Sequence, residues 1–79
     1  MTPRAILARN LRDLRKAKDM SQEALAHEAG ISRQYVSDLE RELYAASIDT
    51  LESLAKVLKV RPSDLIDEDY AATPGDTGN

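Results

Sequence analysis

Arg33 and Gln34 stand side by side and Ser37 follows one helical turn later, three side chains whose donors and acceptors suit the edges of nucleic-acid bases. An arginine guanidinium can donate a parallel pair of hydrogen bonds to guanine, and a glutamine carboxamide can donate to and accept from adenine. A serine hydroxyl is short enough to lie against base edges. Asp38 has two readings. It could accept from the cytosine amino group, or hold a neighbouring arginine, which is the commoner use of such a carboxylate. Tyr35 also has two: its hydroxyl could bond a phosphate or a base, and its ring could cover the joint between helices. Ser32, just before this run, is of helix-capping type. A helix starting there presents unpaired backbone N–H groups and partial positive charge to a phosphate. Arg41, with Arg9 or Arg12 earlier in the chain, are candidates for phosphate contact.

Other chemistries have less to stand on. His27 lies four residues after Glu23 and could share a helix face with it, but two ligands without a third make a poor metal site, and a solvated histidine is the simpler reading. The chain has no glycine-rich phosphate loop and no nucleophile paired with a base, and it is too short to wall a catalytic cleft. Catalysis, a cofactor and a small-molecule substrate are therefore not expected. With no cysteine, a disulfide framework is excluded and the reducing cytoplasm is the natural compartment. No apolar run approaches the ~20 residues of a membrane span, and the opening Met1-Thr2-Pro3-Arg4 lacks the shape of a secretory signal, so no membrane partner is expected.

The net charge of −3 would argue against a polyanionic partner if it were evenly spread. It is not. Residues 1–61 hold all 11 basic residues against nine acidic ones, and residues 62–79 hold five acids and no base. Six bases among the first 18 residues (Arg4, Arg9, Arg12, Arg15, Lys16 and Lys18) face only Asp13. One end of the folded unit could be positive, although a solvated helix face would use the same residues.

The elements that must position these side chains are helical. Apolar residues recur at helical spacing, and no stretch alternates with period two long enough to make a strand, so the expected fold is all-α. At 79 residues there is room for one domain, which buries only about 60% of the unfolded chain's surface. Thr2 and Pro3 read as cap and first residue of a helix to about residue 17, with Leu7, Leu11 and Leu14 inward. Ser21 caps a second helix over residues 22–29 that ends at Gly30. Ser32 caps a third, over residues 33–41, burying Val36 and Leu39 and turning Arg33, Gln34, Ser37 and Asp38 outward. A fourth can start from Ser47, or from Asp49 with Glu52 as a capping box, and buries Leu51, Leu54, Ala55 and Leu58. Pro62 opens a short fifth carrying Leu65 and Ile66. The domain is expected to span residues 1–69, with residues 70–79 a disordered tail. Ile48, Val57 and Ile66 are apolar without obvious internal partners, which makes them the expected dimer interface.

Two short helices joined at a glycine turn, the second exposing base-reading side chains, match a helix-turn-helix. The run Ser21-Gln22-Glu23-Ala24-Leu25-Ala26, then Gly30-Ile31-Ser32-Arg33-Gln34-Tyr35-Val36-Ser37-Asp38-Leu39-Glu40-Arg41, then Ile48-Asp49-Thr50-Leu51 and Leu54-Ala55, resembles the Cro/C1-type (XRE, lambda repressor-like) DNA-binding family over about residues 4–66. Size and the Arg33-x-Tyr35-Val36-Ser37-x-Leu39-Glu40-Arg41 pattern are most similar to restriction-modification controller proteins. The resemblance implies a five-helix domain acting as a homodimer on double-stranded DNA at a palindromic operator, with RNA polymerase as a further partner of controllers that activate. It implies that Gln22 anchors a phosphate and braces the reading helix, and that Arg15 pairs with Glu40. A phage or plasmid repressor, or an antitoxin-like interaction module with secondary DNA binding, are the alternatives. Between Arg41 and Ile48 the chain departs from the family's usual Gly-, Lys- or Asn-rich loop, and Leu43 and Tyr44 would there cover the core or meet a partner subunit.

Overall fold

A computed structural model describes residues 1–71 of the chain. Five helices follow in order, α1 (Pro3–Ala17), α2 (Gln22–Ala29), α3 (Arg33–Glu40), α4 (Ile48–Leu58) and α5 (Pro62–Leu65), and no strand occurs among the described residues. No helix there is long and apolar enough to cross a membrane. The starts are set by short hydroxyl side chains that satisfy otherwise unpaired N–H groups. The hydroxyls of Thr2, Ser21, Ser32 and Ser47 accept from the backbone N–H groups of Ala5, Ala24, Tyr35 and Thr50, at 2.9–3.2 Å. Ser47, not Asp49, is thus the cap of α4. Asp49 sits within the first turn, where its charge still complements the positive end of the helix. The third helix stops at Glu40, with Arg41 as its C-cap, one residue short of the expected end.

The helix ends share one device. After each of the first four helices a residue turns left-handed (Asp19, Gly30, Glu42 and Lys59, with φ of 55°, 73°, 64° and 60°), and the next N–H bonds back five residues. Met20, Ile31, Leu43 and Val60 thereby donate to the carbonyls of Arg15, Ala26, Asp38 and Ala55 at 2.9–3.0 Å, which closes the end as a Schellman turn does. Only one of the four left-handed residues is a glycine, so only that end was legible as a stop. In three of the turns the apolar residue folds back onto the core, as Met20, Ile31 and Val60 do. Leu43 does not, and remains 49% exposed.

The core collects Leu7, Leu11 and Leu14 of α1, Leu25 and Ala26 of α2, Val36 and Leu39 of α3, Leu54, Ala55 and Leu58 of α4, and Leu65 of α5. Helix α3 packs on α1 and α2, while α5 packs on α4 and α1. Val57 is half-buried against this core, so it does have an internal partner, unlike Ile48, which is 82% exposed, and Ile66, at 49%. Tyr70, placed by the sequence reading in the tail, also packs on the core and donates its backbone N–H to the Asp67 carbonyl. The rest of the expected tail, residues 72–79, lies outside the described residues.

Candidate nucleic-acid interface

The inner side of α3 is held by more than apolar packing. Glu40, at its end, is buried, and its carboxylate takes two bonds from one guanidinium. Arg15 Nε donates to Oε2 at 2.7 Å and Nη2 donates to Oε1 at 3.0 Å. The remaining fork of Arg15 donates from Nη1 to the Met20 carbonyl at 2.9 Å, so one side chain ties α1, the turn after it and α3. The hydrogen bond to Glu40 raises the Arg15 pKa above its ordinary value, with burial opposing and the charge attraction assisting. Because the folded-state value is the raised one, this stabilisation is fully present up to the ordinary arginine range and is lost only above it. Gln22, at the first position of α2, donates from Nε2 to Glu40 Oε1 at 3.2 Å and so braces α3 through the same carboxylate.

The outer side of α3 is open. Arg33 and Gln34 are exposed and Ser37 is half-buried. Gln34 Nε2 donates to Asp38 Oδ1 at 2.9 Å, and Arg41 Nη1 lies 3.9 Å from the same oxygen. Asp38 thus engages Gln34 most closely, with Arg41, the neighbouring arginine of its commoner expected role, at the edge of ion-pair distance. Ser32 spends its oxygen on the Tyr35 N–H and keeps its hydroxyl proton to donate. The Tyr35 ring is half-buried against the core at the joint between the two helices. Arg41 is exposed at the helix end.

Of the basic cluster in α1, Arg9 has partners of its own. Its guanidinium donates to Asn10 Oδ1 at 3.2 and 3.0 Å and to the Glu68 carbonyl, which ties α1 to the segment after α5. Arg12 is half-buried, and Arg4, Lys16 and Lys18 are exposed. Leu43 and Tyr44 do not cover the core; they are 49% and 56% exposed on the loop between α3 and α4. Glu23 and His27 lie exposed on α2.

One residue that positions the architecture escaped the sequence reading. Asn10 is buried on α1, and its Nδ2 lies within 2.9–3.2 Å of the carbonyls of Asp64, Leu65 and Asp67, clasping the end of α5. The available signal was its register, three residues after Leu7 and four before Leu14 on the inward stripe. A carboxamide there must find partners because an unsatisfied buried amide is costly.

With a well-seated inner side and an open outer side, α2 and α3 have the form of a helix-turn-helix, and residues 11–65 match the family model described as Helix-turn-helix. The chain belongs to the Cro/C1-type helix-turn-helix family. Its relatives include the control protein C.BamHI of Bacillus amyloliquefaciens, 42% identical over 65 residues that cover 81% of this chain and 80% of that protein. Among solved structures it is similar to the restriction-modification controller protein C.AhdI from Aeromonas hydrophila, with a TM-score of 0.75 and 37% identity, covering 78% of this chain and 94% of that one. It is also similar to SinR, the master regulator for biofilm formation, solved in complex with DNA. There the TM-score is 0.74 and the identity 35%, over 77% of this chain and 98% of the solved SinR chain, while the match spans 60% of the whole SinR protein of Bacillus subtilis. The protein is thus a helix-turn-helix regulator close to the restriction-modification controllers.

Proposed function

We propose that this protein is a sequence-specific transcriptional regulator that binds a palindromic operator in double-stranded DNA as a homodimer, in the manner of a restriction-modification controller. The observation that carries the reading is the outward side of α3, where Arg33 and Gln34 stand exposed on a helix whose opposite side is clamped to α1 and α2. Arg33 donates to guanine, Gln34 engages adenine, and Ser37 sits against the base edges between them. Ser32, Tyr35, Gln22 and Arg41 surround that side and contact phosphates, which sets register without reading sequence.

One such helix spans only a few base pairs, so affinity and specificity rest on pairing two of them about 34 Å apart in successive major grooves. The exposed Ile48 and Ile66 support a self-association surface on α4 and α5, with Leu43 and Tyr44 as further apolar area. Val57, half-buried, borders that surface. The resemblance to C.BamHI and C.AhdI supports the controller role. Contact with RNA polymerase would follow if the operator lies upstream of a promoter that the protein activates.

The test is selection of bound duplexes from a random pool, together with sedimentation. The wild-type protein should enrich a two-fold symmetric site and sediment as a dimer. Arg33→Ala combined with Gln34→Ala should lower affinity for that site by about 100-fold or more while the dimer persists, since each base contact contributes about 1–3 kcal/mol of discrimination. Equal affinity of the double variant for the selected site would overturn the assignment of α3 as the reading helix.

A further inference from the structure

We infer that Asp38 is a specificity-determining positioning residue, which orients the Gln34 carboxamide so that it accepts adenine and refuses guanine. The inference rests on the proposed reading of DNA by α3 and adds to it a residue that need not touch a base.

A glutamine amide has two N–H donors on one end and a carbonyl oxygen on the other, and a free side chain can present either end to a base. At Gln34 that freedom is removed. Nε2 lies 2.9 Å from Asp38 Oδ1, four residues on along the same helix. An ionised carboxylate carries no proton and only accepts, so the amino end must be the end that faces it. One N–H is then consumed, and Gln34 is left with one donor and its carbonyl acceptor. Adenine offers one acceptor, N7, and one donor, the N6 amino group, in the major groove, and matches that remainder. Guanine offers two acceptors, N7 and O6, and would need both N–H groups. The same carboxylate would also repel the guanine O6.

Asp38 is itself held for this task. Its side chain is only 15% exposed, Arg41 Nη1 lies 3.9 Å from the oxygen that Gln34 uses, and its backbone carbonyl accepts the Leu43 N–H at 2.9 Å where the helix closes. Gln34, by contrast, is exposed and contacts this anchor with its far end. A surface pair at this spacing could serve helix stability alone, and such a role would leave base preference untouched. Position-resolved selection separates the two roles.

The experiment compares the full chain with Asp38→Ala, Gln34→Ala and the double variant, by sequencing duplexes enriched from a random pool, with thermal melting as a check on folding. Wild type should show one position per half-site where adenine is preferred over guanine. Asp38→Ala should lower that preference by about tenfold at that position, within the range that one good bidentate contact supplies, and leave the position read by Arg33 unchanged. In the Gln34→Ala background, adding Asp38→Ala should change nothing at that position. The inference is overturned if Asp38→Ala keeps the adenine preference, if it alters a different position, as a direct contact to cytosine would, or if it alters the same position when Gln34 is already absent. Should Asp38→Ala fail to fold, Asp38→Ser keeps the test open, because its hydroxyl is too short to reach the amide and should relax the preference in the same way. A wild-type protein that enriches no site overturns the DNA-reading assignment, and this inference with it, whereas a defined site with unchanged preference overturns the inference alone.

Discussion

Helix α3 has two sides built on opposite plans. On the inner side Val36 and Leu39 are fully buried and Glu40 is clamped by Arg15 and Gln22, so each position is coupled to α1 or α2. On the outer side the side chains of Arg33, Gln34 and Asp38 make no bond outside the helix and its cap among the contacts described, and two of the three are exposed. The difference teaches that stability and recognition can be separated within eight residues. Substitutions inside should act through folding, and substitutions outside through binding alone.

The sharpest way to test that separation is Leu39→Ala. It should cost about 2–5 kcal/mol through lost burial and the cavity left behind, against a total of only about 4–12 kcal/mol for a chain of this length. Denaturant unfolding would read it as a large fall in midpoint with little change in slope. Next comes Arg15→Ala, which leaves the buried Glu40 carboxylate with only Gln22 as a partner and should cost about 3 kcal/mol. A loss below about 1 kcal/mol would show that the carboxylate finds water, and would break the claim that this side is sealed. On the outer side, Arg33→Ala should change unfolding stability by no more than about 0.5 kcal/mol, while costing about 1–3 kcal/mol in binding to a selected duplex. A melting temperature lowered as far as that of Arg15→Ala would merge the two sides. The smallest effect belongs to neither. Lys59→Gly relieves a side chain held at a positive φ and should raise stability by less than about 1 kcal/mol, readable as a small rise in melting temperature.

Much of this contrast was legible in the sequence. The serine and threonine caps announced three helix starts and offered one of two for the fourth, the leucine spacing announced the inward stripes, and Arg33-Gln34-x-x-Ser37 announced the outward side. Less legible were features that depend on where the chain comes together in space. Nothing near Asn10 in the chain marks its role, because the carbonyls it clasps lie more than 50 residues away. Arg9 looked like part of a basic face until its partner, the Glu68 carbonyl, was in place. Asp19, Glu42 and Lys59 close helices in a left-handed conformation that glycine would have advertised and these residues do not. Asp49 was a chemically sound cap, and Ser47 took the position two residues earlier.

The clasp by Asn10 has an implication for how the molecule comes apart. A four-residue helix is far too short to persist alone in water, and α5 borrows its order from its packing on α4 and α1, with the Asn10 carboxamide on its end and Leu65 in the core. Helix α5 is thus the natural first unit to detach and the last to dock, before the leucine-packed centre loosens. Since Ile66 directly follows α5, its share of the surface assigned to pairing would be lost at that first opening, while Ile48 on α4 would keep its place. A solitary chain would thus blur one edge of its pairing surface before it lost its fold.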